Sequence, residues 1–214
     1  MDVVTTSTSE RPARRDATRN RAALIDAAMA ELRHDPDASL DAIAARAGLS
    51  RRAVYGHFAT REDLVLTVVE AGAARIAQGI GTVDTDDSRV AIATIGARLW
   101  ASVSHVRVMA DLAVRGPYRS TVAAALAPIR RTLRDVIEDG VSRGQLRRDI
   151  PPAVVARLVE DAALTVLAEA TRSGIDDDHA ARLVMLAGLS GAGLGWQEAG
   201  LVVEETLRNG LVNA

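Results

Sequence analysis

The stretch Ser39-Leu-Asp-Ala-Ile-Ala-Ala-Arg-Ala-Gly48-Leu-Ser50-Arg-Arg-Ala-Val-Tyr-Gly-His-Phe58-Ala-Thr60-Arg-Glu-Asp-Leu64 holds two short helical patterns separated by a glycine. Ser39 is placed to cap the first, whose inner face is Leu40, Ile43, Ala44 and Ala47 at helical spacing. Gly48 stands where the chain needs a left-handed turn, and Leu49 follows it into the core. Ser50 caps the second pattern, Arg51 to Phe58, with Val54 and Phe58 facing inward. Such a pair, joined by a tight turn and packed steeply, is a helix-turn-helix unit. Ala44 is small enough to let the helices approach, and locking by Val54 and Phe58 leaves the opposite face free for a major groove.

Working outward, Arg19 to Arg33 reads as a preceding helix with Leu24, Ile25, Ala28, Met29 and Leu32 on one face. His34-Asp35-Pro36-Asp37 ends it, because proline cannot continue a helix interior. Residues 1–17 are polar and basic and are expected to form a flexible arm. After the cassette, Thr60 is expected to cap a longer helix, with Glu62 and Asp63 near its positive end. Leu64, Val68, Gly72, Ile76 and Ile80 then recur every fourth residue. Beyond the acidic break at 84–87, helices are expected over about 88–103, 105–114, 117–142, 151–173, 177–194 and 197–209. Gly116-Pro117, Gly140, Gly144, Pro151-Pro152 and Ser173-Gly174 supply the breaks. The fold class is therefore all-α: a small N-terminal three-helix domain over 18–80, behind the arm, and a larger helical domain over 81–214.

Composition limits the function classes. Of 214 residues 48% are apolar and 25% charged, so the chain folds rather than remaining disordered. No apolar run is long enough to span a bilayer, and the polar, charged first twenty residues are unlike a secretory signal. The absence of cysteine removes disulfides and thiolate metal sites and fits a reducing cytoplasm. No cofactor and no metal site is expected. All 26 basic residues are Arg, a bias that points to a GC-rich bacterial source.

Net charge is −2, yet residues 11–61 hold ten Arg against six acids, a local balance of +4 that leaves −6 for the remainder. A basic end and an acidic body suit a chain whose N-terminal part faces phosphate.

The cassette resembles the TetR family of bacterial regulators, whose pattern is an Ile-Ala pair, Ala-Gly-(Val/Leu)-Ser, Tyr-x-His-Phe, a basic residue and Leu. Gly144-Gln-Leu-Arg-Arg-Asp-Ile-Pro-Pro152 is a second, weaker point of similarity, preceding what the family uses as its first dimerisation helix. The resemblance implies a DNA-reading set of Ser50, Arg51, Arg52, Ala53, Tyr55, His57, Thr60 and Arg61. Within it Arg51, Arg52 and Ala53 lie at the base-reading start of the second helix, and Tyr55, His57, Thr60 and Arg61 match phosphate-contacting positions. Arg61 replaces the usual Lys. Arg11, Arg14 and Arg15 would reach a neighbouring groove or phosphates. The family's partners follow: a palindromic double-stranded operator, and a homodimer through the helices at about 151–173 and 177–194. There Val155, Leu158, Val159, Ala162, Val166 and Ala170 form an apolar stripe, and Gly188, Gly191 and Gly193 allow close approach.

The middle helices, about 88–142, are where the family builds an effector pocket. Trp100, His105, Met109 and Tyr118 are the candidates, each equally readable as core. So few aromatics favour a hydrophobic or amphipathic small molecule as effector, with a repressor released from DNA as the outcome. The rival readings are an all-α enzyme and a helical interaction module that does not read DNA. Four scattered histidines (34, 57, 105, 179), no phosphate loop and only the adjacent acids Glu160-Asp161 give the enzyme reading little to work with.

Overall fold

The computed structural model describes residues 10–115 and 117–208; the side chains of 10–14, 108, 109, 112 and 115 lie outside the description. Among the described residues there is no β-strand. The chain divides into two compact units, Met1–Val69 and Glu70–Ala214.

The first unit holds α1 (Glu10–Leu32), α2 (Leu40–Arg46), α3 (Arg51–His57) and the opening turns of α4 (Arg61–Ile80). Its core is Leu24, Ala28, Leu32, Ile43, Ala44, Val54, Phe58 and Leu64, all buried. The arm expected over 1–17 is helical from Glu10 onward, because Ala and Arg are strong helix formers and Pro12 falls in the first turn, where proline is tolerated; residues 1–9 lie outside the described residues. The units divide between Val69 and Glu70, inside α4. Sequence periodicity marks where a helix stops, whereas a unit boundary depends on which neighbours its successive turns pack against.

The second unit is built on α5 (Ser88–Val103), largely buried, and also contains α6 (Arg107–Arg115), α7 (Arg119–Ala125), α8 (Ala127–Ser142), α9 (Pro152–Ser173), α10 (Asp177–Gly191) and α11 (Trp196–Arg208). A short 3-10 turn, Ser104–Val106, joins α5 to α6. One hydrophobic cluster gathers Ile92, Ile95, Ile137, Val155, Met185, Leu189 and Val203. A second gathers Trp100, Val103, Leu167, Ala170, Ala180 and Val184.

The single helix expected over 117–142 is two. Pro128 cannot donate to the carbonyl four residues back, so α7 ends and α8 restarts with the proline in its first turn. Gly140, expected as a break, lies inside α8. Its missing Cβ is what lets Leu146 and Ser88 approach: a Cβ there would lie 2.6 Å from Leu146 Cδ1 and 2.7 Å from Ser88 Cβ. At Gly188 and Gly191, by contrast, a Cβ would find only ordinary van der Waals contact. A Cβ at Gly188 would meet Ile92 and Val159 at 3.5 Å, and one at Gly191 would meet the backbone of Leu158. Gly193 has φ +105 and lies against Arg147.

Candidate nucleic-acid interface

Local capping fixes the cassette. Ser39 Oγ accepts from Ala42 N, and Ser50 Oγ accepts from Ala53 N, each at 3.2 Å. Each serine thereby satisfies one of the donors that a helix start leaves unpaired. Between the two helices Gly48 takes φ +67, and Leu49 N donates to Ala44 O at 3.0 Å, closing the turn. A fully buried Val54 and a nearly buried Phe58 hold α3 on the core from one side.

The other side of α3 faces water. Ser50, Arg51, Arg52 and Tyr55 are exposed, and Ala53 and His57 are half-buried. Arg51 pairs with Asp41 at 3.2 Å and lies over the Tyr55 ring, 5.6 Å from its centroid. That arrangement holds the guanidinium along the helix, with cation–π attraction helping to keep it there. Arg52, among the described residues, has no hydrogen-bond or ion-pair partner, so its fork remains free for a carboxylate-like or phosphate-like acceptor. Arg21 covers the opposite edge of the core, 5.1 Å from the Phe58 centroid.

Two residues of the expected set carry structural duties. Thr60 and Asp63 form a reciprocal cap on α4: Asp63 N donates to Thr60 Oγ1 and Thr60 N donates to Asp63 Oδ2, both at 3.1 Å. The Thr60 hydroxyl hydrogen is still available to an outside acceptor. Arg61 is more fully committed. Its Nε donates to Ala38 O at 2.9 Å, and a terminal nitrogen donates to Pro36 O, so it ties the start of α4 to the loop between α1 and α2. No local signal in the sequence shows this bond, which spans more than twenty residues.

The expected effector residues fall on separate elements. Trp100 is buried in the second cluster, and its Nε1 has no hydrogen-bond partner among the described residues. His105 is exposed in the 3-10 turn, Tyr118 is half-buried at the start of α7, and the Met109 side chain lies outside the described residues. The adjacent acids Glu160 and Asp161 also part company: Glu160 is engaged by Arg130 and Asp161 is exposed. No shared proton site arises from them.

Residues 24–68 match the model of the bacterial regulatory proteins of the tetR family. This domain belongs to the tetR family. The match starts at Leu24 in α1 and ends at Val68 in α4, so it contains the entire cassette. No curated protein matches the chain. Among solved structures it is similar to SmeT, the repressor of the Stenotrophomonas maltophilia multidrug efflux pump SmeDEF, at 22% identity and TM-score 0.65, over 79% of this chain and 88% of that one. It is also similar to the fatty acid degradation regulator FadR from Bacillus halodurans, at 15% identity and TM-score 0.66, over 82% and 97%. A third similarity is to the TetR-like regulator LfrR from Mycobacterium smegmatis in complex with proflavine, at 20% identity and TM-score 0.57, over 81% and 96%. The all-helical fold of the tetR-type regulators, a helix-turn-helix domain followed by a larger helical one, therefore extends over most of the chain.

Proposed function

We propose that this chain is a ligand-responsive DNA-binding regulator, a repressor that grips a palindromic operator as a homodimer and is released by a small molecule. The observation that carries the reading is the two-sided character of α3, with Val54 buried and Arg51, Arg52 and Tyr55 exposed at the helix start. A helix anchored on one face and cationic on the other suits a major groove, where arginine forks onto guanine O6 and N7. Arg52 is the better base or phosphate reader, since Arg51 must first leave Asp41. Ser50, Ala53, Tyr55, His57 and Thr60 frame that contact, and Arg61 supports it by holding the domain together.

Pairing follows from geometry, since one short helix reads too few base pairs, and two held about 34–36 Å apart read successive major-groove faces. Exposed Val154 and Leu158 on α9, and half-buried Leu183, Leu186 and Ala187 on α10, support a seam between copies through these helices. An organic effector, of the general kind that proflavine represents for LfrR, would enter near Trp100, whose buried N–H has no acceptor among the described residues. By linkage, an effector that favours the wrongly spaced dimer weakens operator binding by the same factor, with α4 as the lever.

Footprinting on the DNA upstream of the chain's own gene, with the wild type and with Arg51→Gln/Arg52→Gln, tests the reading. A protected palindrome that the double variant loses while keeping its dimer is expected. Protection that survives both substitutions would overturn the role of α3, and absence of any specific protection would favour an interaction module.

A further inference from the structure

Between α8 and α9 lies an open cleft of about 200 Å³ that has no part in the DNA reading. Its charged lining is Arg130, Arg134, Arg157 and Glu160, over a floor that includes Leu133 and Ala156. Three guanidinium groups meet one carboxylate, so the cleft carries an excess of two positive charges. That carboxylate is shared: Arg130 Nε donates to Glu160 Oε1 at 2.8 Å, and Arg157 stands 3.8 Å from Glu160 Oε2. Arg130 also donates to Ala123 O at 2.9 Å, which fixes its position at the end of α7. Arg134, among the described residues, has no acidic partner.

We propose that this cleft is a binding site for a small anion carrying carboxylate or phosphate groups. Three guanidinium groups around a concave space raise the local positive potential and draw anions towards it, and Glu160 offsets only one of them. The arginine fork matches planar carboxylate and phosphate oxygens in pairs of hydrogen bonds, and Arg130 is already held in place by Ala123 O. The volume suits a small ion better than a drug-sized molecule, whose pockets run from roughly 300 Å³ upward. Glu160 acts as an internal competitor that an incoming anion displaces from Arg157 first, because that pair is the longer one.

Calorimetric titration of the full chain with citrate, and separately with inorganic phosphate, tests the site without any DNA. Saturable one-to-one binding of either anion is expected, and the tighter of the two identifies the source chemistry. Arg134→Gln/Arg157→Gln, which leaves the Arg130 tie between α7, α8 and α9 in place, should weaken binding at least tenfold with unchanged thermal unfolding. Glu160→Gln should tighten it several-fold. No saturable heat from either anion, equal binding by the double variant, or weaker binding by Glu160→Gln would overturn the proposal.

Discussion

Arg61 Nε donates to Ala38 O at 2.9 Å, joining the first residue of α4 to the loop ahead of α2. Because the bond is part-buried and its donor is charged, it contributes more than an ordinary surface contact. Replacing Arg61 with Ala should destabilise the helix-turn-helix domain by about 1.5–3 kcal/mol, seen as a lower urea midpoint. Lysine keeps the charge but not the fork, so Arg61→Lys should recover only part of the loss. A urea midpoint for Arg61→Ala equal to that of the wild type would show that the bond carries no stability.

Asp41 offers the opposite test, on binding. Its carboxylate holds Arg51 at 3.2 Å, yet both side chains are largely solvated, so the pair is weak. Asp41→Asn should release Arg51 and remove a negative charge that faces any incoming phosphate. Operator affinity should rise by about 1.5- to 5-fold, the equivalent of an exposed ion pair. Arg52→Ala should instead lower affinity and flatten the dependence on salt by roughly one counterion. Fluorescence anisotropy across a salt series measures both.

The two glycines of the cassette should respond to alanine with opposite signs. Gly48 has φ +67, a region that costs a residue with a Cβ about 1–2 kcal/mol, so Gly48→Ala should destabilise by that amount even though no neighbour would be struck. Gly56 has ordinary helical backbone and open space where a Cβ would go. Gly56→Ala should stabilise by about 0.5–1 kcal/mol, through the restricted unfolded chain. Thermal melts of the two variants, side by side, decide the matter.

These cases show what the sequence could and could not reveal. Caps, turns and inward faces are local, so Ser39, Gly48, Ser50, Val54 and Phe58 could be placed from spacing alone, and α5 is observed over the expected range, Ser88–Val103. Long-range bonds leave no periodic trace. That is why the resemblance offers Arg61 as a phosphate contact while the sequence shows nothing of its bond to the Ala38 carbonyl. The cleft of Arg130, Arg134, Arg157 and Glu160 was hidden for the same reason: its residues are separated by up to thirty positions and converge only when α9 packs on α8.

The last prediction concerns acid. Asp87 caps α5 by accepting from Arg89 N at 2.9 Å, and its carboxylate also receives the Arg89 guanidinium, which in turn reaches Glu198 at 3.2 Å. The side-chain bond from Arg89, aided by the backbone amides, holds the Asp87 carboxyl below the usual aspartate range, against the smaller opposing effect of burial. A folded-state value below the unfolded one means that the unfolded chain binds the proton more readily. The stabilisation is thus fully present above the ordinary aspartate range and is lost as pH falls through the depressed folded-state value. Asp87→Asn keeps a cap acceptor and loses the titrating charge, so its stability should fall less steeply on acidification than that of the wild type. Urea midpoints for both proteins at neutral pH and near pH 3 provide the check. Parallel decline of the two would show that acid acts elsewhere in the fold.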